Sequence, residues 1–142
     1  MRFKPFWRNI IWAAIIFILC AVPGDELPKT NAIQIPHFDK IVHYGMFFIM
    51  GIFLMAEFRI QTKLKRVTIL IISILLIGIY GGAIEFLQQN YFVNRSGDYM
   101  DLLADILGGI TAIILYPWLK KQKDLLLDSK PFNKISFLKK IL

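Results

Sequence analysis

The feature of this sequence that most restricts its fold is an apolar run from Val67 to Leu87, which carries no charged residue before Glu85. About 20 mostly apolar residues in an α-helix match the hydrocarbon thickness of a bilayer, so this run predicts a transmembrane helix. The rest of the chain agrees, since its 142 residues have a mean hydropathy of +0.56 and only 19% are charged. A soluble domain of this size would need more polar surface, and a disordered chain would hold fewer apolar residues.

Three further apolar runs are separated by short polar segments. They are shorter, or they hold ionisable residues near one end, where a bundle interior or the membrane interface accepts them. Aromatic residues flank several of these ends, as is typical of a membrane interface. The sequence therefore predicts an all-α, polytopic membrane protein in which residues 1–119 form one bundle of four transmembrane helices. The predicted spans are residues 7–22, 41–58, 67–87 and 99–119.

The first apolar run has an alternative interpretation as a signal peptide, because a basic segment precedes it. Leu19 stands two residues before Ala21 and directly before Cys20, and signal peptidases require a small residue at these positions. We therefore interpret the run as an uncleaved helix. The other alternative, a soluble helical bundle, would leave four largely apolar helices without polar cover. The single cysteine excludes an intramolecular disulfide framework.

The basic residues are concentrated in alternate polar segments. Of the 17 lysines and arginines, all but Lys29, Lys40 and Arg95 lie at the amino terminus, between the second and third spans, or after residue 119. The positive-inside rule then predicts a multi-pass protein of the cell membrane with both termini in the cytoplasm. Segments 23–40 and 88–98 are predicted to face outward.

Residues 120–142 are predicted to form a short basic cytoplasmic tail. After Pro131 its apolar residues recur at helical spacing, which favours an amphipathic helix on anionic headgroups, although a solvated tail remains an alternative. Nucleic-acid binding is not expected, because the basic residues are divided among the membrane flanks.

Polar residues gather at the outer ends of the second, third and fourth predicted spans. Within each group the residues are three or four apart, so they share a helix face. Carboxylates brought together in this way repel one another and require a basic side chain, a cation or a shared proton. Ion pairs that only fix the helix ends are the structural alternative. The sequence predicts a polar binding pocket whose candidate residues are Asp39, Lys40, His43, Glu85, Gln88, Arg95, Asp101 and Asp105.

Small residues recur at four-residue spacing on the third and fourth spans. Gly78 and Gly82 lie on the third, and Ala104 and Gly108 lie on the fourth. Such spacing lets helix backbones approach closely in lipid, so it predicts that these two helices pack together.

Short motifs give little support for a metal, phosphate-binding or nucleophilic site. A metal site formed by His43, Glu85, Asp101 and Asp105 is one alternative, but the sequence holds no compact motif such as His-Glu-x-x-His. There is also no phosphate-binding glycine loop and no Gly-x-Ser-x-Gly nucleophile motif. We therefore expect neither a metal nor another cofactor, and the sequence identifies no catalytic residue.

The polar residues follow an ordered pattern along the chain: Asp39-Lys40-x-x-His43, Glu85-x-x-Gln88, Arg95, and Asp101-x-x-x-Asp105-x-x-Gly108. This pattern resembles the VanZ-like family of small bacterial membrane proteins, named for a teicoplanin-resistance protein. The resemblance extends from about Ile35 to Trp118, and the family commonly has Asn where this chain has Asp105. It implies a polytopic membrane protein linked to the cell envelope or to glycopeptide tolerance, and it implies no established reaction.

Three functional hypotheses follow from the sequence and the resemblance. In the first, an envelope factor binds a lipid or a lipid-linked cell-wall precursor, with Arg95, Lys40 and His43 meeting phosphate. In the second, a membrane enzyme acts on a lipid-phosphate or lipid-linked substrate, with His43 or a carboxylate as general base. In the third, the carboxylates serve a small oligomeric transporter or proton relay. The expected partners are membrane lipids, and the oligomeric state is left open.

Overall fold

The computed structural model describes residues 6–23, 25 and 37–128, with the backbone alone for residues 126–128. It contains four α-helices: α1 (Trp7–Ala21), α2 (Phe38–Gln61), α3 (Arg66–Asn90) and α4 (Tyr99–Asp128). Three of them, α2, α3 and α4, are long and apolar enough to cross a membrane, and α1 is a shorter apolar helix of 15 residues. For the described residues, the all-helical prediction is therefore confirmed. Fifteen residues extend only about 22 Å along a helix, so a complete crossing by α1 stays a prediction.

Three helices extend beyond the predicted spans, and α3 does so by one residue at its start and three at its end. α2 begins at Phe38 and thus includes Asp39 and Lys40 in its first turn. α4 continues past residue 119 to Asp128, through Pro117, which cannot donate a backbone hydrogen bond. The first part of the predicted tail is therefore a continuation of α4, while the predicted amphipathic segment after Pro131 lies outside the described residues.

Large apolar side chains cover the outside of the bundle. Ile18, Ile79 and Ile114 are each more than 60% exposed, and they lie on three different helices. Such a surface is normal for helices in contact with lipid tails and would promote aggregation in water. The exposure pattern therefore favours the multi-pass membrane protein over the soluble bundle.

The most extensive helix pair is α2 with α4, and glycine permits its close approach. A Cβ atom placed on Gly108 would collide with the backbone oxygen of Tyr44 and would lie 3.1 Å from the backbone nitrogen of Phe48. A Cβ on Gly51 would lie 2.8 Å from the Cβ of Ala112. Gly108 therefore serves helix packing, but its partner is α2 rather than the predicted third span.

The packing prediction for Gly78 and Gly82 needs correction. A Cβ on either residue would meet none of the described atoms within 4 Å, whereas a Cβ on Gly81 would lie 2.6 Å from Oδ2 of Asp105. Neighbouring residues point about 100° apart around a helix, so the predicted pair lies on a different face. Gly81 makes the close contact with α4, and Ala104 is half-buried.

At the other end of the bundle, a buried carboxylate joins α1 to α2. Oε1 of Glu57 accepts a hydrogen bond from the backbone N–H of Arg8 (3.2 Å), and Oε2 accepts one from Nδ2 of Asn9 (2.6 Å). The first N–H groups of a helix lack partners within it, and the helix dipole favours negative charge there. No side chain caps α1 locally at Phe6, so Glu57 supplies the cap from α2.

Replacing Gly108 with Ala should destabilise the bundle, because the added methyl would collide with the backbone of α2. The expected loss is about 1–3 kcal/mol, measured as a lower melting temperature of the detergent-purified protein. Gly82→Ala is the matched control on an open face, and it should leave the melting temperature unchanged or slightly higher. Equal losses in both variants would contradict the α2–α4 contact described here.

Candidate functional site

The ionisable residues of three helices converge at one end of the bundle, where α2 and α4 begin and α3 ends. We call this region the polar end. It divides into an outer group around Lys40 and a buried group around His43. The residues of the polar end are Asp39, Lys40, His43, Glu85, Asp98, Asp101 and Asp105.

In the outer group, one ammonium balances three carboxylates. Nζ of Lys40 lies 2.6 Å from Oδ2 of Asp98, 3.0 Å from Oδ1 of Asp101 and 3.2 Å from Oδ2 of Asp39. The ammonium holds the pKa of the Asp98 carboxyl, which lies in the loop before α4, below its usual range. We call these four residues the Lys40 cluster. It links the first turn of α2 to the beginning of α4.

Asp98 is a member of this cluster that the sequence analysis did not select. Its Oδ1 accepts a hydrogen bond from the backbone N–H of Met100 (2.9 Å), so it is the N-cap of α4. Its own backbone N–H donates to Oε2 of Glu85 at 2.7 Å. An aspartate directly before an apolar helical run is a known N-cap signal, and that signal could have identified Asp98.

The buried group consists of His43, Glu85 and Asp105, one residue from each of α2, α3 and α4, and we call it the buried trio. Nδ1 of His43 lies 3.0 Å from Oδ1 of Asp105 and 3.9 Å from Oε1 of Glu85. Asp105 is completely buried, and His43 and Glu85 are 7% and 8% exposed. Within the described part of the chain, Oε1 of Glu85 and Oδ2 of Asp105 have no hydrogen-bond partner.

The other two predicted site residues, Gln88 and Arg95, contact α1 instead. Nε2 of Gln88 donates to the backbone oxygen of Cys20 at 3.2 Å, and Nε of Arg95 donates to that of Val22 at 2.9 Å. The last carbonyl groups of a helix lack partners within it, so these side chains cap the carboxyl end of α1. The structure thus brings together six of the eight candidate residues and places the remaining two at the adjoining helix end.

The polar end has an excess of hydrogen-bond acceptors and negative charge. Five carboxyl groups face one lysine and one histidine, and the lysine already contacts three of the five. Such an arrangement can receive a cation or a ligand rich in hydroxyl or ammonium donors. The pairing of Asp105 with Nδ1 of His43 would also favour the tautomer whose Nε2 acts as a base.

A groove of about 280 Å³ lies on α2 and α4, near the end where α1 begins. Its floor is apolar and includes Ile52, Phe53 and Tyr116, and its margin includes Lys120. This groove was not predictable from the sequence, because its lining comes from residues that are far apart along the chain. It contains none of the predicted site residues.

Replacing Lys40 with Met should leave three neighbouring carboxylates without their shared cation. We expect the melting temperature to fall by roughly 5 °C or more at neutral pH, because removing one member of an ion-pair cluster leaves like charges opposed. Lys63→Met, at an exposed position outside the cluster, is the matched control and should have little effect. A Lys40→Met protein as stable as the control would contradict the charge balance described here.

The effect of Lys40 should also depend on pH. The pKa of Asp98 is lowered in the folded state, so its pairing with Lys40 stabilises the protein above the unfolded carboxyl pKa of about 3.9 and loses this effect as pH falls through the folded value. The difference in melting temperature between wild type and Lys40→Met should therefore persist from pH 7 to about pH 4 and close below it. Thermal melts across this range provide the measurement.

Comparison with known proteins shows the family of this chain. The model of the VanZ/LLP1 family matches residues 4–120. An uncharacterised protein of the yeast Schizosaccharomyces pombe is 29% identical over 100 residues, which cover 70% of this chain and 59% of the yeast protein. This chain thus spans less than two thirds of that relative, and no solved structure shows significant similarity. Four helices with three long apolar spans, and a family match over most of the chain, identify it as a multi-pass membrane protein that belongs to the VanZ/LLP1 family.

Proposed function

We propose that this protein is an envelope factor of the cell membrane that binds the headgroup of a lipid or of a lipid-linked cell-wall precursor at its polar end. In the proposed topology, both termini are cytoplasmic, four helices cross the membrane and the polar end faces outward. The distribution of lysine and arginine supports this orientation, since the segments next to the polar end hold few of them. A headgroup in the outer leaflet would then lie at the level of the polar end.

The observation that carries the proposal is the shortage of hydrogen-bond donors at the polar end. Five carboxyl groups there face one lysine and one histidine, and the side chains of Asp39 and Asp98 are 57% and 37% exposed, so they are accessible to a ligand. Sugar hydroxyls or an ammonium group would supply the missing donors. The headgroups of lipid-linked precursors and of many envelope lipids offer such groups.

Arg95 would contact the phosphate of the same ligand. Its Nε donates to the backbone oxygen of Val22, which fixes the side chain at the carboxyl end of α1, beside the polar end, and among the described residues leaves the two terminal nitrogens of the guanidinium as donors. Arginine suits phosphate because its donors are planar and permanently charged. Lys40 is less suited to this role, because three carboxylates already surround it.

The proposal extends to antibiotic tolerance. A protein that binds cell-wall precursors or lipids at the outer face could alter the access of glycopeptides such as teicoplanin to their targets. This part of the proposal rests on membership of the VanZ/LLP1 family. It predicts that removing the charge of Arg95 changes teicoplanin susceptibility in the host cell.

Arg95→Gln is the variant that separates ligand binding from folding. Gln carries its Nε2 the same number of bonds from the backbone as the Nε of Arg, so it can keep the hydrogen bond to Val22 while the charge is lost. We expect native mass spectrometry of the wild type, extracted gently from its own membrane, to show a discrete phosphate-containing lipid adduct. In Arg95→Gln the occupied fraction should fall at least tenfold, since each charge-assisted contact contributes about 1.5–3 kcal/mol.

Arg66→Gln is the matched control, since Arg66 is an exposed arginine at the opposite end of α3. It should keep the adduct, and melting temperatures of all three proteins report whether the fold survives. Retention of the same adduct by a stably folded Arg95→Gln protein would overturn the proposed phosphate contact. A wild type without any such adduct would argue against headgroup binding itself.

A membrane enzyme is the second candidate, and the pairing of His43 with Asp105 favours it. A carboxylate 3.0 Å from Nδ1 orients an imidazole as a general base, and such a base could activate water toward a lipid phosphate ester. This candidate predicts phosphate release from envelope lipids by the purified protein, with loss of turnover in Asp105→Asn while the protein stays folded. Absence of turnover across a broad panel of such lipids would leave binding as the function.

A further inference from the structure

We propose that the buried trio of His43, Glu85 and Asp105 binds one divalent metal ion. The three side chains come from three helices, and one nitrogen or oxygen atom of each lies within 4.8 Å of the others. This inference goes beyond headgroup binding and is tested without any lipid.

The unsatisfied oxygens provide the first argument. Oε1 of Glu85 and Oδ2 of Asp105 are buried and have no hydrogen-bond partner among the described residues. The same Oε1 is the atom that lies 3.9 Å from Nδ1 of His43, so it points toward the other ligand atoms rather than away from them. A metal ion in this position would convert a lone oxygen and a ring nitrogen into ligands.

Charge balance provides the second argument. Two ionised carboxylates and a neutral imidazole carry a charge of −2, which is costly in a site as buried as this one. Protonation of His43 would neutralise only one of the two negative charges. A divalent cation with a neutral imidazole would bring the trio to zero.

The neighbouring Lys40 cluster shows by contrast where a metal is not needed. It also contains three carboxylates within 4.8 Å of one another, those of Asp39, Asp98 and Asp101. There the Nζ atom of Lys40 contacts all three at 2.6–3.2 Å and supplies the positive charge. The buried trio has no lysine or arginine ion pair among the described residues, so its compensating charge must come from a proton or an added cation.

The distances within the trio suit a small transition-metal ion. Two ligands at roughly 2.1 Å from a tetrahedral metal lie about 3.4 Å apart, so Nδ1 of His43 and Oδ1 of Asp105, which are 3.0 Å apart as a hydrogen-bonded pair, would separate by a few tenths of an ångström. Oε1 of Glu85 would have to move closer to Nδ1 by less than an ångström. One imidazole and two carboxylates form a donor set that suits Zn²⁺.

Zn²⁺ alone is the probe for the test. The full-length protein, purified in detergent without a histidine tag and stripped with a chelator, should bind one Zn²⁺ ion per chain by elemental analysis and calorimetry. Zn²⁺ should also raise its melting temperature, since a ligand that binds only the folded state stabilises it. Asp105→Asn and Glu85→Gln should each weaken binding at least tenfold and lose the thermal shift.

Asp39→Asn is the matched control, because it removes a carboxylate from the Lys40 cluster and leaves the buried trio intact. It should bind Zn²⁺ as tightly as the wild type. Two results would overturn the inference: a wild type that binds no Zn²⁺ at millimolar concentration, and a site that survives in both Asp105→Asn and Glu85→Gln. Glu85→Gln keeps an oxygen to accept the backbone N–H of Asp98, so the test stands even where Asp105→Asn fails to fold.

Discussion

The structure depends on holding several carboxylates inside a bundle whose outer surface is apolar. An ionised carboxyl group without a partner is too costly in such surroundings, so each must find a cation, a donor or a proton. Lys40 supplies the cation for Asp39, Asp98 and Asp101, and His43 pairs with Asp105. Because these contacts join α2 to α4 and to the preceding loop, the same charges that define the site also fix the ends of the helices.

Glycine permits the two close helix contacts that frame the site. Gly108 brings the backbones of α2 and α4 together near Tyr44, and Gly81 makes room for the carboxylate of Asp105 between α3 and α4. α1 is attached differently, through side chains that satisfy its helix ends. Glu57 caps its beginning, and Gln88 and Arg95 cap its end. The polar end is thus formed by the packed helices α2, α3 and α4, and hydrogen bonds to its two ends hold α1 beside them.

The sequence predicted the elements better than their contacts. The helices were predictable because length and hydropathy determine which segments can cross a bilayer, and the convergence of His43, Glu85 and Asp105 followed from their positions near the same ends of these segments. The face of α3 that meets α4 was predicted wrongly at Gly78 and Gly82, because a four-residue spacing of glycines does not reveal which helix face meets a neighbour. The place of Arg95 beside Val22 was missed as well, since a sequence shows the charge of a loop residue but not the carbonyl group that it reaches. The N-cap role of Asp98 was open to prediction from the local pattern.

The central claim is that the polar end faces the outside of the cell, and cysteine labelling tests it most directly. In a background where the buried Cys20 is replaced by Ala, Val93→Cys would place a thiol in the exposed loop between α3 and α4, and Lys63→Cys would place one between α2 and α3. A membrane-impermeant maleimide applied to intact cells should label position 93 and should reach position 63 only after lysis. Labelling of position 63 in intact cells, with position 93 protected until lysis, would contradict the account.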